Sequence, residues 1–274
     1  MVFKFAIAKC SNNIQSIGYK NLIKNIEYHR PVDLKPFCTG VRNQLKINCS
    51  PSFAVMSLYE LRYNIIHDKI LPMSPLFNYK VVCNLLNENS IIGYSLKKSI
   101  WVCKAYGILP EKYMPFDVSH VEEEPSDFCY ALAQNHKIRR AKRLDLPKIS
   151  TYFLVERIVS HLKKNYPLCF GFNVFEHCIN QGHDNGKIPY PLMGDKMIGG
   201  QAVLAVGYDK NIEIKNIDGN KVTNGAILFQ NSWGEGWGDE GYGWLPFEYI
   251  YSGFTSEWCT IYDTYFASLE KITS

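Results

Sequence analysis

The sequence predicts an α+β protein in which a helical half is followed by a strand-rich half, and three observations carry that expectation. From Ser50 onward, Ala54, Leu58, Leu61 and Ile65 recur at helical spacing, as do Leu96, Ile100 and Cys103 within Ser95–Tyr106. Near the C-terminus, Ala202 to Val206 and Ala226 to Phe229 are short apolar runs rich in β-formers, with Asp218-Gly219 between them as a hairpin-type turn signal. Beyond them, Gly234, Gly236, Gly238, Gly241 and Gly243 punctuate Trp233, Trp237 and Trp244. That segment sets large rings on a permissive backbone, where a polar side chain such as Asn231 can be fixed under an aromatic lid.

Composition excludes several function classes. With 274 residues, 46% hydrophobic and 20% charged, the chain can bury a real core as one large domain or two lobes. A net charge of +4 is too mild to demand nucleic acid or a membrane surface. No apolar run approaches the ~18 residues of a membrane span. The opening MVFKFAIAKC carries a Lys inside an apolar run too short for a secretory core. Nine cysteines, an odd number without close pairs, read as reduced thiols in a reducing compartment.

Taken in order, residues 1–30 hold one short amphipathic stretch, Ile14 to Ile26, and no recognisable domain. Ser50-Pro51 reads as a helix start, with Ser as N-cap and Pro at the first helical position. Ser95–Tyr106 is the next clear helix and stops at Gly107. From about 119 the composition shifts towards strands and loops. His136 to Lys148 (HKIRRAKRLDLPK) is the densest basic run. No aromatic residue interleaves it, so it reads as a solvated strand or loop, and nucleic acid is not expected as a partner. Ser150 to Lys164 is an amphipathic helix carried by Leu154, Ile158 and Leu162. His177, Cys178 and His183 follow in a loop whose spacing matches no common zinc pattern, so neither metal nor cofactor is expected.

Several motifs together resemble the papain-like (C1) cysteine peptidases. Asn231-Ser232-Trp233-Gly234, then Trp237-Gly238 and Gly241-Tyr242, resemble the NSWG region in which an Asn orients the catalytic His. VRNQLKINCSPSFAV, residues 41–55, resembles VRDQGxxGSCxAFA without a gap, and GGQAVLAVGY, residues 199–208, resembles GGHAVxxVGY. YGILPEKYMPFD and the strand around Tyr166 to Phe172 match further family patterns, so the likeness runs over roughly residues 31–265.

The resemblance implies a two-lobed fold within residues 31–274. A helical lobe would span about 40–118 and a β-rich, antiparallel barrel-like lobe about 119–270, with a cleft between them and residues 1–30 as an extension. It places Gln44 on the oxyanion-hole glutamine and Asn231 on the orienting Asn. The nucleophile's position is Ser50, with Cys49 one residue too early, and the base's position is Gln201. Gly93, Tyr94, Gly200 and Trp233 would line the substrate cleft. Tyr94 stands where a second Gly is usual and would narrow it. Ile47 stands where secreted relatives carry a disulfide cysteine.

Two replacements in one dyad bear on function. A Ser hydroxyl must lose its proton to a base as it attacks, and an amide accepts no proton at neutral pH. A helix N-terminus contributes only ~0.3–1 kcal/mol, too little to ionise an alcohol. Cys49 would be turned by ~100° away from the cleft. The expectation is a catalytically inactive homologue that binds a protein or peptide in its cleft, as a component of a larger assembly. Heavy use of Asn, Ile, Lys and Tyr is what AT-rich genomes favour, large DNA viruses among them, so a virus particle or a cytoplasm is the expected location, with no secretion and no membrane. The alternative is an active hydrolase with an atypical dyad, its base imported from His177 or His183.

Overall fold

The longest helix, α1 (Ser50–His67, 18 residues), lies at the centre of the chain's computed structural model, which describes residues 30–87, 93–216 and 221–266. Residues 1–29, including the amphipathic stretch and most of the expected extension, lie outside the described residues. Pro51 sits in the first turn, where its missing N–H is no loss. The helix ends at Asp68, whose left-handed backbone (φ 52°) returns its N–H to Asn64 O.

One detail corrects the sequence reading. Cys49, not Ser50, is the N-cap, and Ser50 is the first helical residue. The Cys49 carbonyl already accepts from the N–H groups of Ser52 and Phe53, at 2.9 and 3.3 Å. The Ser50 hydroxyl is not used for capping because it reaches across to the other half of the molecule.

Nearly every side of α1 is buried. Phe53 faces a smaller core with Leu76, Phe77, Val81, Val82 and Val102, contributed by α2 (Pro75–Leu86) and α3 (Leu96–Ala105). Val55, Met56, Leu58, Tyr59 and Leu61 face a larger core made with the sheet. Ser74 and Ser95 cap α2 and α3 by accepting from Phe77 N at 3.0 Å and Lys98 N at 3.3 Å. Gly107 ends this region with φ +92°, and a Cβ there would stand 2.0 Å from the Ala133 carbonyl, so only glycine fits. Ala133 closes α4 (Asp127–Ala133).

Complete burial of α1 includes a carboxylate. Glu60 is fully buried and is held by Arg42 (3.0 Å), by Thr39 Oγ1 (2.5 Å) and by Met73 N–H (2.7 Å). A buried charge persists only where it is paired and hydrogen-bonded.

The second half is a sheet of antiparallel strands. The path runs β2 (His136–Arg143), β7 (Thr255–Phe266), β3 (Leu168–Phe175), β4 (Met197–Lys215), β5 (Val222–Gln230), β6 (Tyr242–Pro246). The short β1 (Val32–Asp33) pairs with Tyr208 and Gly207 of β4. The two apolar runs predicted as a hairpin are the middles of β4 and β5, with Tyr208 opposite Ile227 and Leu204 opposite Gln230. Asp218-Gly219 lies outside the described residues. Phe170 and Trp258 stack at 3.9 Å inside the sheet's core. Helix α5 (Thr151–Lys163), capped by Ser150, buries Leu154, Ile158 and Leu162. Two short helices, α6 (Glu176–Gln181) and α7 (Phe247–Tyr251), complete the set. The fold is thus the mixed architecture of helices followed by antiparallel sheet that the sequence predicts.

His136 begins β2 and is buried against Tyr59, whose hydroxyl stands 3.2 Å from its Nδ1. Burial lowers its pKa to about 4, so the imidazole is neutral in the fold. The unfolded chain binds that proton near pH 6.5, so stability is full above that value and falls as pH drops towards about 4, by roughly 3 kcal/mol. Denaturant titrations at intervals of pH should show this decline, and His136→Gln should flatten it. An unchanged slope in the variant would remove His136 as its source.

Among the described residues no helix is long and apolar enough to cross a membrane. Cys38, Cys49, Cys83, Cys103, Cys129, Cys169, Cys178 and Cys259 are all free thiols; Cys10 lies outside the described residues.

Candidate active site

Three backbone segments meet at one amide. Gln201 projects from β4 where it pairs with Phe172 of β3, and it is almost wholly buried. Its Nε2 lies 3.0 Å from Gln44 Oε1, 2.9 Å from Asn231 Oδ1 and 3.2 Å from Ser232 Oγ. Gln44 is fixed by its own N–H to Ser232 O (2.8 Å) and by Nε2 donating to Ile47 O (2.9 Å). Asn231 follows the end of β5, and its N–H donates to Gly241 O at 2.9 Å. Gly241 (φ +84°) could not carry a Cβ, which would meet Val41 Cγ1 at 2.4 Å. The glycines of this segment therefore let the loop close over its own start.

Ser50 joins the cluster through backbone. Its Oγ accepts from Ala202 N–H at 3.2 Å, on the residue next to Gln201. The structure thus brings Gln44, Ser50, Gln201 and Asn231 to one place. Every one of these side chains is neutral, an amide or a hydroxyl. Asn231 Oδ1 accepts from Gln201 and from Ser232 N–H, while Asn231 Nδ2 is buried without a hydrogen-bond partner. Hydrogen bonds run through the centre, but no group among these four takes up a proton at neutral pH.

Ser232 was not singled out by the sequence, though it lies inside the Asn231–Gly234 motif. Its Oγ donates to Gln44 Oε1 at 2.7 Å, tying the loop before α1 to the loop after β5. Cys49 points away into the smaller core and is fully buried, which pushes its thiol far above the ordinary range.

The centre opens into a cleft. On one side is a cavity of about 420 Å³ lined by Gln44, Ser50, Gly93, Tyr94, Gly200, Gln201, Trp233 and His183. Trp233 stands edge-on to Trp237 at 5.3 Å and lines this cavity, and Asn231 is buried. A second cavity, about 440 Å³, shares Pro51, Tyr94 and Gln201 and continues past Asn173, Ser256 and Glu257. Tyr94, which stands where a second Gly is usual, lines both cavities. Its hydroxyl bonds to Ser52 Oγ and accepts from Ser52 N–H at 3.2 Å, which turns the ring into the helical core as a wall.

The histidines of the preceding loop separate. His183 reaches the first cavity, with Nδ1 2.9 Å from Asp184 Oδ1, whereas Cys178 is buried beside Asp195 with its thiol pushed up to about 12. His177 makes no described bond to either. Among the described residues, no three His, Cys, Asp or Glu side chains are placed to hold a metal ion.

Comparison with known proteins follows the same lines. The family model described as papain family cysteine protease matches residues 29–265. An uncharacterized peptidase C1-like protein of Acanthamoeba polyphaga mimivirus is 27% identical over 179 residues, covering 64% of this chain and 52% of that protein. The chain therefore spans about half the length of that relative. Among solved structures, xylellain, a cysteine protease from Xylella fastidiosa, aligns with TM-score 0.70 and 28% identity over 84% of this chain and 85% of its own. Digestive procathepsin L 3 of the Tenebrio molitor larval midgut aligns with TM-score 0.63 and 15% identity, covering 87% and 71%, a likeness of fold alone.

Proposed function

Because the chain belongs to the papain family of cysteine proteases, we propose that it is an inactive member that holds an extended peptide in its cleft without cleaving it. One observation carries this reading: at the base's position stands Gln201, an amide whose Nε2 donates to Gln44 and Asn231. It copies the donor that an imidazole would offer to Asn231 and lacks the proton acceptor that attack requires. Cavities lie on both sides of Gln201, and Gly93 and Gly200 line the first of them, where an extended peptide would run alongside the backbone. The setting we propose is a larger protein assembly, a virus particle included; the mimivirus relative supports a viral source and does not bear on the assembly itself.

A specific feature favours a second reading, an active hydrolase with an atypical dyad. His183 lines the same cavity as Ser50 and is paired to Asp184. One experiment divides the two. The purified chain is exposed to an epoxide thiol probe and a serine-directed fluorophosphonate, and assayed on fluorogenic peptides. The expected result is no labelling at residue 50 and no turnover. Turnover abolished by His183→Ala would establish the second reading, and covalent labelling at Cys49 would sink the inactive one.

A further inference from the structure

The basic run of β2 lacks an aromatic neighbour in sequence, yet the fold supplies one. Helix α3 packs beside β2, and between them lies a groove of about 320 Å³. It is lined by Lys97, Trp101 and Lys104 from α3 and by Lys142 and Arg143 from β2, all exposed. Trp101 is half exposed and is held at its edge by Tyr106, with ring centroids 6.0 Å apart at 66°, so a face of the indole is open to a ligand.

We infer that this groove binds single-stranded nucleic acid, its phosphates on the lysines and a base stacked on Trp101. Three arguments lead there. Lys97, Trp101 and Lys104 fall at i, i+4 and i+7, so they share one helix face, and the two lysines stand about 10 Å apart along it. That spacing suits about three stacked nucleotides at ~3.4 Å each. Next, among the described residues Lys97, Lys104 and Lys142 have no carboxylate at ion-pair distance. Arg143 is neutralised by Asp145 (2.8 Å), and Glu257, at the floor, spends Oε2 on Leu96 N–H (2.8 Å). The cations left over therefore face the groove. Last, an acidic peptide would use the lysines but leave the indole idle, whereas every base has a face to stack. Among the described residues β2 is also the end strand of the sheet, and exposed Arg140 lies further along it.

The test uses the full chain and a short, labelled oligothymidylate read by fluorescence anisotropy. Neutralising about three phosphates predicts that affinity falls roughly 10- to 20-fold between about 50 and about 200 mM salt. Trp101→Ala should weaken binding at least about fivefold at fixed salt, and Trp101→Phe should keep most of it. Lys97→Glu with Lys142→Glu should abolish binding, while Lys69→Glu, an exposed lysine just past the far end of α1, should leave it nearly unchanged. Binding that ignores Trp101→Ala, displacement by a glutamate-rich peptide at matched charge, or no binding at all would each overturn the proposal.

Discussion

The double substitution Ser50→Cys with Gln201→His is expected to turn a chain inert to an epoxide probe into one that labels at position 50. Three parts of the apparatus are already in place. Residue 50 opens α1, where the helix dipole favours a thiolate. Asn231 Oδ1 already accepts a hydrogen bond from residue 201 and would accept an imidazole N–H as it now accepts the amide. The cleft beside residue 50 is open. Ser50→Cys alone should give a thiol of modest reactivity, since no imidazolium stands opposite. Gln201→His alone should give none, because the base would face an alcohol. The pair should exceed the sum of the two by at least about 100-fold, as groups acting as a unit do. Gln44 sets a limit: its Nε2 donates to Ile47 O and must turn to serve an oxyanion. A dead double variant whose crystal structure shows an open cleft would mean that the cleft was rebuilt for binding.

The second large effect concerns stability. Arg42→Ala should cost about 3–5 kcal/mol, read as a drop in the urea midpoint with little change in slope, because it strands the Glu60 carboxylate in the core. Arg42 also donates to Met73 O at 2.8 Å, so its loss loosens the loop before α2. Adding Glu60→Gln to Arg42→Ala should recover a good part of the loss, since an amide needs no counter-charge. If the double variant is no more stable than Arg42→Ala, stranded charge is not the cause.

What could be read from residues alone was whatever repeats or stands in a short run. The helical spacing around Leu58 and Leu154, the starts of α3 at Ser95 and α5 at Ser150, and the Gly-Trp segment after Asn231 are local signals, and motif order placed Ser50, Gln201 and Asn231 in one centre, while α2 was not read at all. Contacts between distant segments were not legible. Nothing near Glu60 signals Arg42, eighteen residues earlier, and nothing near Lys142 signals Trp101 across the groove. The length of β4 was hidden because polar Asp209, Lys210 and Asn211 interrupt it, and the alternation beyond them, Ile212 and Ile214 between Asn211, Glu213 and Lys215, is too short to stand out. The N-cap moved by one residue because the Ser50 hydroxyl had a tertiary partner, Ala202 N–H, that no local rule contains.

Helix α1 forms a wall of both hydrophobic cores, and that has a consequence for how the chain folds. Removing the sheet would bare Val55, Met56 and Leu58 to water, and removing α2 and α3 would bare Phe53 on the same rod. Neither half can melt and leave the other whole, so the two lobes form a single cooperative unit despite the groove that divides their surfaces. The cleft is therefore walled by packing that both halves share, so a peptide that entered it would not have to bring the halves together.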